Sequence, residues 1–272
     1  MRGCQLPLAR EPRTWCCARG HRFDIAREGH VNLLQPQDRR SREPGDSAAA
    51  RAGRSRFLAA GHAAPMVAAL RRRLPPERSA LLDVGTGDAS LLAGVVADST
   101  LEVHGLDLSA AAVAVAARRM PEGAFVVANA DRNLPYAEGS FDCILSITSR
   151  RNPAQMQRVL RGHGRLLVVV PAPDDLIELR AAIQPEGRMS DRTRQRVEEL
   201  AAHFREVERE RITLRIRAEP ATQMDALAMT YRGGRERERK RAGTLVAMDL
   251  TLSWDLLCFS PLAENRGKIT DN

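Results

Sequence analysis

Three things are scarce or missing in this chain of 272 residues, and each closes off a class of protein. No apolar run approaches the ~18 residues a membrane-spanning helix needs. The N-terminus carries Cys4, Cys16, Cys17 and several arginines where a secretory signal would need an apolar stretch, so a cytoplasmic protein with no membrane partner is expected. Cysteine is sparse and odd in number, five in all. Without a secretory context that argues against a disulfide framework, and it leaves Cys143 and Cys258, each inside an apolar strand-like run, as core residues. Lysine is almost absent: Lys240 and Lys268 are the only two among 42 basic residues, and the rest are arginine.

That arginine is unevenly placed. Residues 1–79 hold 16 arginines against 7 acidic residues, 16 − 7 = +9, while the whole chain carries +8, so everything after residue 79 sums to −1. A basic surplus gathered at one end implies a polyanionic partner, because phosphate contacts supply much of the affinity in nucleic-acid binding. The length allows one full α/β domain and a smaller module.

The stretch Leu81-Leu82-Asp83-Val84-Gly85-Thr86-Gly87-Asp88 reads as an apolar strand breaking into a glycine turn before a helix. Twenty residues after Gly87, Asp107 ends a second apolar run and is followed by Leu108. Glycines let backbone approach a nucleotide-like ligand, and a carboxylate at the tip of the next strand can accept both ribose hydroxyls. A dinucleotide fingerprint would place Gly or Ala where Ser90 stands, to hold a pyrophosphate at the helix start. Asp88 would repel phosphate and attract an ammonium group. S-adenosylmethionine has no phosphate and carries a sulfonium and an amino-acid end, so these residues favour it over NAD.

Strand-like runs at 80–84, 101–106, 124–128, 141–147 and 165–170 alternate with helical patterns at 88–97, 109–119, 153–161 and 173–183. Such alternation predicts a parallel sheet covered on both faces. After a charged helical segment near 188–206, longer strands at 208–217 and 244–258 are placed to close the sheet antiparallel, as in Rossmann-like methyltransferases. The organisation read from this pattern is a front module at 1–34, a linker and helix at 35–78, a catalytic domain at 79–260 and a mobile tail at 261–272. Residues 35–54 read as a polar linker, and an alanine-rich helix follows through Phe57 and Leu70.

A front module this small needs a staple, and Cys17-x-x-x-His21 has the spacing of one zinc ligand pair. The second pair should be a Cys-x-x-Cys knuckle near residue 4, yet only Cys4 is there, with Met1 three positions before it. Three readings stay open: a lost upstream cysteine, Cys16 as a substitute ligand, or degenerate zinc binding.

With these phrases assembled, the chain resembles the 23S rRNA guanine-N1 methyltransferases, relatives of an enzyme that modifies a hairpin loop lining the ribosomal exit tunnel. The resemblance rests on Cys17-x-x-x-His21, on His21-x-Phe23-Asp24-x-Ala26-x-Glu28-Gly29-x-Val31-Asn32-Leu33-Leu34, on Pro44-Gly45-Asp46-Ser47, and on Arg56-Phe57-Leu58-x-x-Gly61-His62. It continues through Pro171-x-Pro173-x-x-Leu176-x-Glu178-Leu179 to Met229-Thr230. It implies a Rossmann-like class I methyltransferase using S-adenosylmethionine, with a small zinc-ribbon-like module, a 23S rRNA hairpin as partner and a homodimer whose cleft receives it. The family's metal residues carry over as Cys4, Cys17 and His21. Three positions depart from the family: Met1 stands in the place of the first zinc ligand, Ala63 replaces an aromatic that packs on the cofactor, and Asp175 replaces a histidine on the cofactor side.

The expected cofactor contacts are therefore Ala63, Asp83, Gly85, Gly87, Asp88, Asp107, Leu108, Asn129, Ala130 and Asp175. Methylating guanine N1 requires an acceptor for its proton near the cofactor sulfur. Loops at strand C-termini supply Asp131, Thr148 and Arg150 as candidates, with Arg150 and Arg151 suited to phosphate or base contact. Arg19, Arg22, Arg39 and Arg40 are expected to hold the RNA. Two other classes use parts of the same sequence: a small-molecule methyltransferase, which has no use for the basic front, and an RNA-binding protein with a vestigial cofactor site.

Overall fold

A computed structural model describes residues 6–34, 48–183, 192–230 and 236–263. The front forms a three-stranded antiparallel sheet of β1 (Ala9–Arg10), β2 (Thr14–Cys16) and β3 (Arg22–Asp24). Strand β4 (Val31–Asn32) leaves it for the edge of the main sheet.

The main sheet is built from β5 (Ala80–Val84), β6 (Glu102–Asp107), β7 (Ala124–Val127), β8 (Phe141–Ile147), β9 (Leu160–Pro171), β10 (Phe204–Ala218) and β11 (Met248–Pro261). Its order is β10-β11-β9-β8-β5-β6-β7-β4. The strands from β4 to β9 run parallel, and β11 is antiparallel to both β9 and β10. The expected antiparallel closure is therefore present. The central strands are continuous apolar runs because both their faces are covered: Leu81 joins one buried cluster and Leu82 the other.

Helices α1 (Ala48–Ala59), α2 (Ala64–Arg71), α3 (Ser90–Val95) and α4 (Ala110–Arg119) contribute Phe57, Met66, Leu92 and Val113 to the first cluster. Helices α5 (Pro153–Val159) and α7 (Arg192–Leu200) contribute Met156 and Leu200 to the second. Helices α6 (Ile177–Ile183), α8 (Pro220–Ala228) and α9 (Glu236–Ala242) complete the first layer with Leu179, Leu227 and Ala242. Helix starts follow their caps: Ser109 Oγ accepts from Ala112 N–H, and Asn152 Oδ1 accepts from Gln155 N–H ahead of Pro153. Cys143 and Cys258 are buried, as expected of core residues.

Three expectations need amendment. The polar linker read over 35–54 ends sooner, since α1 begins at Ala48. Strand β9 starts at Leu160, five residues before the apolar run that announced it, because α5 passes straight into the sheet and the exposed Arg161, Gly162 and His163 form its polar first part. The charged helix near 188–206 is α7 at 192–200, and its first positions, like the tail from 264 on, lie outside the described residues.

Candidate functional site

Strand order reverses around β5, whose neighbours β6 and β8 lead in opposite directions, and ligands of open α/β sheets bind at such a point beyond the strand C-termini. A cavity of about 560 Å³ opens there, within the range of small-molecule sites. Its wall includes Asp83, Gly85, Thr86, Gly87 and Asp88 from β5 and its turn, Asp107 and Leu108 from the end of β6, and Asn129, Ala130 and Asp131 after β7. Thr148, Ser149 and Arg150 follow β8 on the far side.

The turn is built for close approach. Gly85 has φ +84° and Gly87 φ +57°, the region where side chains are strained. A Cβ on Gly85 would stand 2.3 Å from Ser149 Cβ, so this position has no room for one. Gly85 N–H donates to Leu106 O at 2.7 Å. Asp107 ties the arrangement together, one carboxylate oxygen accepting from Gly87 N–H at 3.0 Å and the other from Ser109 N–H at 2.8 Å. Asp88 Oδ1 accepts from Ser90 N–H and Ser90 Oγ at 3.1 and 2.6 Å, so this carboxylate also fixes the start of α3. Thr86 Oγ1 is buried in the cavity wall beside Asp83. Asp83 is 4% exposed; burial pushes its carboxyl up to about 7, with the Thr86 hydroxyl opposing the rise and the charge of Asp107 adding to it.

The three catalytic candidates meet at one rim. Arg150 pairs with Asp131 at 3.2 Å, and Asn152 Nδ2 donates to Asp131 O at 3.1 Å, so the loops after β7 and β8 are joined. Thr148, at φ 51°, turns the chain between Ile147 and Ser149. Arg151 differs from its neighbour. Arg150 is exposed, whereas Arg151 is buried and donates to Ser146 Oγ and Ser149 O, so its expected contact with RNA gives way to a role inside the protein.

Ala63 and Asp175 do not line the cavity among the described residues. Ala63 sits in the apolar layer just before α2. Asp175 Oδ1 accepts from Ser253 N–H at 3.0 Å across the β11 side, where burial pushes its carboxyl up to about 6. The wall also takes residues from distant segments that the sequence pattern does not mark as site residues: Arg51, Arg54 and Leu58 of α1, Met66 of α2, Met229 and Trp254. Spacing held a signal for the α1 group, since Arg51, Arg54 and Leu58 fall at i, i+3 and i+7 on one helical face. Arg56 Nε donates to Asp225 at 2.9 Å and ties α1 to α8 beside the cavity.

The front module offers half of a metal site. Cys17 Sγ lies 3.2 Å from His21 Nδ1, with Gly20 N–H closing the turn onto Cys17 O at 2.8 Å. Cys16 ends β2, and its thiol donates to Glu11 Oε1 at 3.0 Å. Cys4 lies outside the described residues. Among the described residues no three potential ligands come together, so they do not make a zinc site by themselves.

Comparison with known proteins matches this geometry to a family. The zinc-ribbon family model "RlmA, N-terminal" covers residues 4–42, and the family model "Methyltransferase domain" covers 81–168. The 23S rRNA (guanine(748)-N(1))-methyltransferase of Streptomyces fradiae is 36% identical over 227 residues, 79% of this chain and 78% of that protein. The chain belongs to this methyltransferase family. By contrast, the demethylmenaquinone methyltransferase of Beutenbergia cavernae, 42% identical, aligns over only 101 residues, 35% of this chain and 40% of its own. The methyltransferase chain in the Haloferax volcanii complex with the activator Trm112 shares the fold, at TM-score 0.55 and 18% identity, covering 81% of this chain and all of that one.

Family membership makes S-adenosylmethionine the methyl donor, and the cavity wall fits it: glycines whose backbone can come close and the carboxylates of Asp88 and Asp107 at the turn. No helix among the described residues is long and apolar enough to cross a membrane.

Proposed function

We propose that this protein transfers a methyl group from S-adenosylmethionine to N1 of a guanine in a 23S rRNA hairpin, acting as a homodimer. The observation that carries the reading is the convergence of Asp131, Thr148 and Arg150 on the rim of the cofactor cavity, in a chain that matches the ribbon family model over residues 4–42 and aligns with an rRNA methyltransferase over 79% of its length.

The donor supplies a methyl group already activated on a sulfonium. In this reading Gly85, Thr86 and Gly87 bring backbone against it, and Asp107 accepts from the ribose hydroxyls beside its bonds from Gly87 and Ser109 N–H. Asp88 faces the amino group, Arg51 and Arg54 the carboxylate, and Leu108, Asn129 and Ala130 flank the adenine. The neutral base holds a proton on the attacking nitrogen, and Asp131 accepts it as N1 takes the methyl group, oriented by Arg150. Alignment of the two reacting centres then lowers the barrier. Residues 1–34 are proposed as the RNA-recognition module, 35–78 as linker and helix and 79–260 as the catalytic domain. Arg19 and Arg22 are exposed, Arg22 beside Glu11; Arg39 and Arg40 lie outside the described residues.

The test is methyl transfer to naked 23S rRNA from a strain lacking the enzyme, with the product nucleoside identified by mass spectrometry. N1-methylguanine at one position is expected. Transfer to small acceptors with none to rRNA would replace the reading by the small-molecule one, and failure to bind S-adenosylmethionine would leave only an RNA-binding protein.

A further inference from the structure

Ser146, at the C-terminal end of β8, is fully buried, and Arg151 is 7% exposed. A guanidinium keeps its charge, and burying it is costly unless its protons are placed. Arg151 Nε donates to Ser146 Oγ at 3.0 Å and Nη2 to Ser149 O at 2.8 Å, while Nη1 has no hydrogen-bond partner. Among the described residues no carboxylate lies within ion-pair distance of it. Burial lowers its pKa to about 10, Arg196 of α7 acting in the same direction and Glu199 against it. A buried ion without a counter-ion adds little to stability that an apolar side chain would not, so its retention calls for another reason.

The hydroxyl protons supply one. Ser149 Oγ lies 2.6 Å from Val84 O, a carbonyl that can only accept, so the single Ser149 proton is committed there. The 2.9 Å contact between Ser146 Oγ and Ser149 Oγ must then run from Ser146 to Ser149. Ser146, with its proton spent, accepts from Arg151. The chain has one direction only: Arg151 to Ser146 to Ser149 to Val84 O. Val84 is the last residue of β5, and Gly85 beyond it is the position with no room for a Cβ beside Ser149.

We propose that Arg151 is a positioning residue that, through Ser146 and Ser149, locks the loop bearing Thr148 and Arg150 onto the Gly85–Gly87 cofactor turn. Ser149 has no proton left for the substrate; its part is to seat one loop on the other. Arg151 does not line the cavity, so its effect reaches the reaction through the serines. The inference rests on the proposed rRNA reading only for the identity of the acceptor.

The test uses the full chain with Arg151→Met, Arg151→Lys, Ser149→Ala and the double variant Arg151→Met/Ser149→Ala. S-adenosylmethionine affinity is measured by calorimetry and methyl transfer by single turnover on 23S rRNA. Arg151→Met and Ser149→Ala should each weaken cofactor binding and slow transfer at saturating cofactor, by about tenfold. The double variant should be no worse than the more severe single one. Arg151→Lys should recover only part of the loss, because its ammonium is a point donor on an unbranched stem and lacks the planar fork that sets Nε on Ser146 Oγ and Nη2 on Ser149 O. Multiplying losses in the double variant, or unchanged affinity and rate in folded Arg151→Met, would overturn the relay. If Arg151→Met does not fold, Ser146→Ala against Ser149→Ala makes the same comparison. A wild-type chain that binds S-adenosylmethionine but leaves 23S rRNA unmethylated would sink the proposed acceptor alone, with the affinity comparison still deciding the relay.

Discussion

Asp107 and Gly87, twenty residues apart, are joined by a 3.0 Å hydrogen bond from the glycine N–H to the carboxylate. The residue expected to read the ribose thus also holds the turn that approaches the cofactor. Asp107→Ala should weaken S-adenosylmethionine binding by about one to two decades, losing charge-assisted contacts of ~1.5–3 kcal/mol. It should also lower the thermal midpoint, because Gly87 and Ser109 lose their acceptor. Calorimetry and a melting curve on the same preparation test both; unchanged affinity in a folded variant would remove Asp107 from the cofactor site.

Gly85→Ala should fail for two reasons that add. Its φ of +84° costs ~1–3 kcal/mol for a residue with a Cβ, and the new methyl would stand 2.3 Å from Ser149 Cβ. Gly20, at φ +80° with nothing within 4 Å of the same virtual atom, is the control that isolates the backbone term. Gly85→Ala should lose cofactor binding and be clearly less stable than Gly20→Ala in denaturant unfolding. Equal losses would mean that the loop after β8 yields easily.

Stability should depend on pH through Asp83. Its folded pKa, raised to about 7 against an ordinary 3.8, means that the native state holds a proton the unfolded chain has released. That contribution is complete below about pH 4 and is lost as the pH rises through about 7. Asp175, raised to about 6, acts in the same sense over the lower part of that window. Asp83→Asn should therefore flatten the fall in stability between pH 4 and pH 7, relative to wild type, in denaturant titrations. A parallel pair of profiles would show that Asp83 titrates normally.

These tests divide along what the sequence made legible. Strands β5 to β8 could be read locally because buried parallel strands are unbroken apolar runs, and the glycine turn because its geometry demands its residues. The pairing of Val31 and Asn32 with Val126 and Val127 had no local signature: two residues make no period, and only the partner strand defines them as β4. Arg51 and Arg54 reach the cavity because of where α1 packs, which no window of sequence contains. Arg150 and Arg151 looked alike as a charge pair, and burial, a property of the fold, separated them.

Docking of the front should survive the loss of metal. Val31 is 3% exposed and Leu33 N–H donates to Val127 O at 3.0 Å, so the main sheet itself holds the end of this module. Treatment with a chelator, or Cys17→Ser, should leave protease sensitivity near residue 31 unchanged, whereas Val31→Asp, which buries an unpaired charge, should raise it sharply. Release of the front by chelator alone would show that a metal completes the module after all.

The arginines of the front bear on the acceptor. Arg10, Arg13 and Arg19 are exposed on the small sheet and its turns, away from the cofactor cavity. If they contact phosphates, each contact releases condensed counterions, and log affinity falls with log salt by ~0.7–0.9 per contact. Replacing all three with glutamine should weaken 23S rRNA binding, flatten its salt dependence by about 2 to 3 in slope, and leave S-adenosylmethionine affinity unchanged, since none lines the cavity. Methyl transfer should then recover at low salt and high RNA concentration, because the catalytic rim is intact. A triple variant with the wild-type salt slope and full rRNA methylation would show that the basic front is solvated surface. Holding the RNA would then fall to Arg150 and the rim of the cavity.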